Sequence, residues 1–260
     1  MKRIALSLAG CLAFPALAWG QQQPGGRIQW RGGEEYDAAM AEAKKYGRPI
    51  LLYFWAEWAA PCHQHDRGVF SDDAVVKASE KFVRILVDYK KHPKIMTETW
   101  KINGIPTFFF LDPDGNKVDG REGVMPSDNP DTLVSHFNSI LEKHGRFPRW
   151  ADTLEAALEK GRRDRMPVIL FWTDGKEASE EYARSFGSAA LKDLLRRFVW
   201  VRLKLVKKGN PAVARYAVKG APLLLVIDPR DDAPLVRCEG VREPEALRAE
   251  LDAALGKVRR

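Results

Sequence analysis

The chain repeats itself. Pro49 to Trp55 (PILLYFW) returns as Pro167 to Trp172 (PVILFW) about 117 positions later, and Ile102 to Pro113 (INGIPTFFFLDP) returns as Val218 to Pro229 (VKGAPLLLVIDP) 116 positions later. Phe82-Val83-Arg84 likewise returns as Phe198-Val199-Trp200. Solenoid repeats run about 20–50 residues, so a period this long means two domains of ordinary size. With 45% hydrophobic and 30% charged residues, the 260-residue chain is neither a disordered tail, a collagen-like fibre nor a multi-span membrane protein.

Residues 1–20 read as a secretory signal. Lys2 and Arg3 form a positive start, Ile4 to Ala18 is apolar, and Ala16-Leu17-Ala18 is a small-x-small cleavage pattern, with cleavage after Ala18 or Gly20. The run is too short to span a bilayer, which takes about 20 apolar residues. A competing reading takes Leu8-Ala9-Gly10-Cys11 as a lipoprotein box with a lipid anchor at Cys11. Either way the expected location is periplasmic or otherwise exported, where disulfides can persist. Beyond the leader only Cys62 and Cys238 remain, too few for a disulfide-built scaffold.

Each copy has the same coarse pattern. In the first, Tyr36, Met40 and Ala43 mark an apolar helical face ended by Gly47. Ile50 to Trp55 is a continuous apolar run of strand length, as expected of a strand buried on both faces. A helix from Pro61, a strand at Val83 to Val87 and another at Thr107 to Leu111 follow, and then a turn at Asp112-Pro113-Asp114-Gly115. The last helix carries Leu133, Val134, Phe137, Ile140 and Leu141, with Asn129 as N-cap and Pro130 in the first position. The second copy closes with Leu247, Leu251 and Leu255 on one face. The order is an α/β layer architecture with a central mixed sheet.

Phe54 to His65 reads FWAEWAAPCHQH and Gly104 to Thr107 reads GIPT. In this order they resemble the active-site strand and helix and the cis-proline loop of the thioredoxin-like family, over nearly all of residues 28–143. Ile28-Gln29-Trp30, Val69-Phe70-Ser71-Asp72 and Phe82-Val83 are most similar to secreted thioredoxin-like proteins and to the periplasmic C-terminal domain of the transmembrane disulfide reductase. The implied organisation is two tandem thioredoxin-like domains, 28–145 and 146–258, each a central mixed sheet flanked by helices. The second keeps a proline at Pro222 but no active-site cysteines.

The resemblance also implies a chemistry that this sequence breaks. Family members attack with a first cysteine at the helix N-terminus and resolve with a second, three residues on. Here the first position is Ala59 and only Cys62 remains. The family's aspartate in the preceding strand is replaced by Tyr53. Autonomous dithiol activity is therefore expected to be absent, with Cys62 at most a single-thiol participant. What survives is the implied binding surface: Trp58, Ala59, Ile105 and Pro106, where the backbone before the proline pairs with an extended polypeptide.

The leading expectation is an exported protein binding extended or cysteine-containing polypeptides, with a polypeptide client or thiol-disulfide partner protein and no cofactor. One alternative is a thiol-disulfide oxidoreductase whose missing cysteine is supplied in trans. Another is a metal carrier using Cys62 with His63 or His65. On a helix Cys62 and His65 share a face while His63 points about 100° away, so a third ligand such as His92 or Asp88 would come from elsewhere. Cys238, in the last strand, reads as a small buried filler. Residues 21–145 hold 16 Lys and Arg against 18 Asp and Glu, net −2, whereas 146–260 hold 24 against 17, net +7. That excess reads as a solvated cationic face. Nucleic acid is not an expected partner, since no reader motif is present.

Overall fold

A computed structural model of the protein describes residues 24–123, 127–206 and 210–258. The expected signal segment and Cys11 lie outside these residues. Among the described residues no helix is long and apolar enough to cross a membrane.

The first half runs β1 (Arg31–Gly32), α1 (Tyr36–Tyr46), β2 (Ile50–Trp55), α2 (Ala60–Arg67), α3 (Asp73–Ser79), β3 (Val83–Asp88), β4 (Thr107–Leu111), β5 (Lys117–Asp119) and α4 (Pro130–His144). The second runs β6 (Trp150–Ala151), α5 (Leu154–Asp164), β7 (Val168–Thr173), α6 (Glu177–Ser185), β8 (Val199–Lys204), α7 (Pro211–Arg215), β9 (Leu223–Ile227), β10 (Pro234–Glu239) and α8 (Pro244–Lys257). Each half builds one five-stranded mixed sheet, ordered β1-β3-β2-β4-β5 and β10-β9-β7-β8-β6. In both, the first three strands in chain order pair parallel, and the last two in chain order pair antiparallel with their neighbours.

The apolar runs explain the layering. Every residue of β2 is buried, because helices cover both faces of the sheet. Leu51, Tyr53 and Trp55 face one core, with Phe70, Phe108 and Phe137; Ile50, Leu52 and Phe54 face the other, with Ala39, Ala43 and Met96. α1 stops at Gly47, whose φ of 67° an L side chain rarely adopts. α4 begins at Asn129, whose side chain accepts from the Thr132 amide, with Pro130 in its first turn.

The structure corrects the register of the second copy and adds detail elsewhere. The two Phe-Trp pairs are not equivalent: Trp172 pairs across the sheet with Leu223 as Phe54 does with Thr107, so Thr173 stands where Trp55 does. Strand alternation forces this, since a one-residue slip turns every side chain to the opposite face. The slip is absorbed in the following loop, one residue shorter in the second half. Short parallel strands β1 and β6 precede the first helices, too brief to show a period. Between β3 and β4 the first half has a single π-turn, Ile95–Thr99. On α8 the buried face is Leu247, Leu251 and Ala254, with Leu255 half-buried.

Among the described residues the halves meet where the end of α1 faces Arg146 and α6. The Arg146 amide donates to the Gly47 carbonyl at 2.8 Å, and its guanidinium donates to Asp114 Oδ2 at 2.6 Å and to the Lys44 carbonyl at 3.0 Å. The Tyr46 hydroxyl donates to Glu181, to which Lys45 also pairs at 3.2 Å. Gly187 packs directly on the Tyr46 carbonyl, with no room for a Cβ.

Candidate functional site

The carboxyl ends of the central parallel strands carry the site. The last residue of β2, Trp55, pairs with Asp88 at the end of β3, and β4 begins antiparallel beside it with Phe54 opposite Thr107. This brings the Ala56–Ala59 loop, Tyr89 and the Ile105–Pro106 loop to one end of the sheet. Ala59 is the N-cap of α2, and Cys62 stands in its first turn, its amide bonded to the Ala59 carbonyl at 2.9 Å.

Cys62 is a free thiol with no exposed surface. Burial pushes the thiol above its ordinary pKa, with hydrogen bonding from the Ala56 backbone and Tyr53 opposing, and the negative charge of Asp66 adding to the rise. An amide-rich helix start would favour the thiolate, but burial outweighs it here.

Tyr53 sits beneath the thiol. Its ring packs against Trp30, Phe70 and Phe108 at centroid distances of 5.6, 5.3 and 5.8 Å. Its hydroxyl is buried without a well-formed hydrogen bond and influences the Cys62 proton from alongside. Burial holds that phenol protonated far beyond the ordinary tyrosine range. A group that cannot ionise at neutral pH cannot take up the proton of Cys62.

The nearest carboxyl came from an unexpected place. Asp66 lies one turn after Cys62 on the same helical face. It is 3% exposed and accepts from the Trp55 indole at 2.9 Å, while its Oδ1 has no well-formed hydrogen bond among the described residues. Burial raises its pKa above the usual carboxylate value. The four-residue spacing to Cys62 was the signal for it in the sequence.

On the outside, Trp58 is 70% exposed and meets Tyr89 edge-on at 6.5 Å. No sequence pattern announced Tyr89; its amide donates to the Trp55 carbonyl because β3 runs parallel to β2. The Ile105–Pro106 peptide is cis. Ile105 packs, half-buried, against the core that contains Ala59 and Cys62. Its neighbours are pinned: Thr107 donates to the Gly104 carbonyl at 2.6 Å, and the Asn103 amide donates to Glu122 at 3.1 Å. The Ile105 amide and carbonyl themselves have no hydrogen-bond partner among the described residues.

The histidines are otherwise engaged. His63 Nε2 lies 2.7 Å from the Glu57 carbonyl, His65 contacts the Pro61 carbonyl and Asp128, and His92 contacts Glu34. Among the described residues no group of three metal-ligating side chains forms, so the metal-carrier alternative gains no site there. In the second half Lys176 caps α6 as Ala59 caps α2, and Ser179 donates to Asp174 at 2.7 Å where Cys62 stands in the first. Cys238 is buried on β10, but it is more than a filler: its thiol donates to Glu250, and burial and that carboxylate push its pKa up to about 12. Part of the cationic excess is paired, with Arg184, Arg202, Arg215, Arg230 and Arg248 all in ion pairs, whereas Arg162, Arg165, Arg196, Arg197 and Lys204 have none among the described residues.

A family model described as a thioredoxin-like domain matches residues 36–138. Thioredoxin H-type from Oryza sativa subsp. indica is 31% identical over 106 residues, which are 41% of this chain and 83% of that protein. The chain belongs to the thioredoxin-like family, a family of thiol-disulfide oxidoreductases, and its two sheets fit tandem thioredoxin-like domains. It is also 30% identical over 94 residues to the thiol:disulfide interchange protein DsbD of Vibrio vulnificus (strain CMCP6), a match spanning 35% of this chain and 16% of that protein. Among solved structures, a thioredoxin from Thermus thermophilus is similar at 26% identity and a TM-score of 0.38, over 45% of this chain and 90% of that one.

Proposed function

We propose that this protein is an exported thioredoxin-like binding module that holds extended or cysteine-containing polypeptides and does not turn over disulfides by itself. The observation that carries the reading is the pair Ala59 and Cys62. The start of the helix carries Ala59, 3% exposed and without sulfur, and the sulfur present, Cys62, has no exposed surface and a raised pKa. An attacking thiolate needs access and a low pKa together.

The binding half of the reading draws on Ile105, whose backbone groups have no partner among the described residues and stand next to a braced loop, suited to pairing with an added strand. Trp58 and Tyr89 add an exposed aromatic rim for a side chain of that strand. Cys62 would form at most a mixed disulfide, after the client or the helix moves to uncover it. A second reading, an oxidoreductase completed by a cysteine in trans, has in its favour that Cys62 is free and that a relative is named for disulfide interchange.

The test is binding of reduced, carboxymethylated insulin B chain, followed by fluorescence anisotropy. Trp58→Ala should weaken binding about tenfold, equivalent to about 1.4 kcal/mol, with an unchanged melting temperature. Equal affinity in the variant would refute the groove. Export is tested separately by the mass of the chain recovered from a fractionated bacterial host, which should begin after Ala18 or Gly20.

A further inference from the structure

Three arginines of the first half stand around the amino ends of β2 and β3, the end of the sheet away from Cys62. Arg31, on β1, pairs in register with Ile85; Arg48 lies two residues before β2; Arg84 is on β3 itself. The Arg48 guanidinium donates to the Glu80, Lys81 and Phe82 carbonyls at 2.6, 3.3 and 2.5 Å, which holds it against the start of β3.

One carboxylate serves two of them. Glu42, on α1, pairs with Arg31 at 2.5 Å and with Arg48 at 3.3 Å. Arg84 has no hydrogen-bond or ion-pair partner among the described residues, and Glu80 acts on it only from a distance. Burial pushes the Arg48 and Arg84 guanidiniums below their ordinary pKa; Glu42 opposes the fall for Arg48 and Glu80 for Arg84, while Arg31 adds to it for both. A guanidinium keeps its charge at neutral pH all the same. Three positive charges therefore share one carboxylate in contact.

The fold does not require this crowding. In the second half Ala151 pairs with Val201 as Arg31 does with Ile85, and Trp200 pairs with Ile169 as Arg84 does with Leu51. Met166 precedes Pro167 as Arg48 precedes Pro49, and both prolines accept from the first amide of the next parallel strand. The same backbone is thus built with no charge at any of the three positions.

Like charges held together favour a bound anion. Guanidinium forks match phosphate oxygens, and arginines arriving from three segments suit a tetrahedral group better than a two-oxygen carboxylate. The side chains remain within reach of solvent, Arg31 at 34% and Arg48 at 23% exposed, with Arg84 half-buried.

We propose that Arg31, Arg48 and Arg84 form a binding site for a phosphate group, with Glu42 as the resident carboxylate that competes with it. The site uses no thiol and lies apart from the Trp58 groove, so either can fail without the other.

The experiment follows the phosphorus NMR line width of inorganic phosphate against the full chain at constant ionic strength. Broadening should saturate, and acetate should not reverse it. Arg84→Met removes the guanidinium that has no other partner and should weaken binding about tenfold or more. Glu42→Gln keeps the shape, removes the competing charge and should tighten binding several-fold. No saturable broadening by the parent, or equal affinity in folded Arg84→Met, would overturn the site. Reversal by acetate would overturn its preference for phosphate, and weaker binding in Glu42→Gln would overturn the role of Glu42. Should Arg84→Met lower the melting temperature, the parent and Glu42→Gln decide: tighter binding in Glu42→Gln supports the site, and unchanged or weaker binding overturns it.

Discussion

The Trp55 indole donates to the Asp66 carboxylate at 2.9 Å, clamping the end of the central strand to the helix one turn beyond Cys62. The clamp holds a buried acid against its preference. Burial raises the Asp66 carboxyl above 3.8, so the folded chain binds that proton more tightly than the unfolded one. The sign follows: the contribution of this group is fully present below the unfolded value and is lost as pH rises through the folded one. Asp66→Asn keeps an acceptor for Trp55 and removes the loss. Its melting temperature relative to the parent should therefore climb as pH rises above about 4. A pH-independent gap in thermal melts contradicts the assignment.

The same acid acts on the thiol. Native Cys62 should react with iodoacetamide at least about tenfold more slowly than the same thiol in unfolded chain. The midpoint of its pH profile should lie above 9, the ordinary value for a thiol here. Asp66→Asn should lower that midpoint, because the Asp66 charge is among the causes that raise it. Peptide mapping separates Cys62 from Cys238, which should be the more inert of the two. Fast labelling of native Cys62 at neutral pH would be the opposite result.

Sulfur placed at the N-cap should restore what is missing. Ala59→Cys puts a second thiol three residues before Cys62, at the start of α2. On oxidation the variant should lose its free Cys62 thiol to an internal disulfide, and with dithiothreitol as reductant it should catalyse insulin reduction. A folded Ala59→Cys variant with two free thiols and no activity would mean that the site is misplaced.

The halves should behave as coupled bodies. Gly187→Ala forces a Cβ onto the Tyr46 carbonyl at the junction and should destabilise the protein by about 1–3 kcal/mol, the usual range for overpacking. Urea unfolding measures it. Stability equal to the parent would show that the junction gives way freely.

The strands and caps were legible because their signals are local. PILLYFW can bury itself only as a central strand, and Asn129-Pro130 starts a helix by its own chemistry. The register of the second copy was not, because Phe171-Trp172 imitates Phe54-Trp55 in letters while the pleat turns Trp172 to the opposite core. Ala59 and Cys62 were readable as a broken pair. Tyr89 was hidden because only the pairing of β3 with β2 brings it to Trp58. The Cys238–Glu250 contact was hidden likewise, since β10 meets α8 only in the folded chain.

The most direct test is multiple-turnover reduction of insulin by purified protein with dithiothreitol, beside Cys62→Ser. With Ala59 at the mouth of the helix and Cys62 sealed beneath it, both proteins should match the uncatalysed rate. Turnover by the parent that disappears in Cys62→Ser would contradict the account.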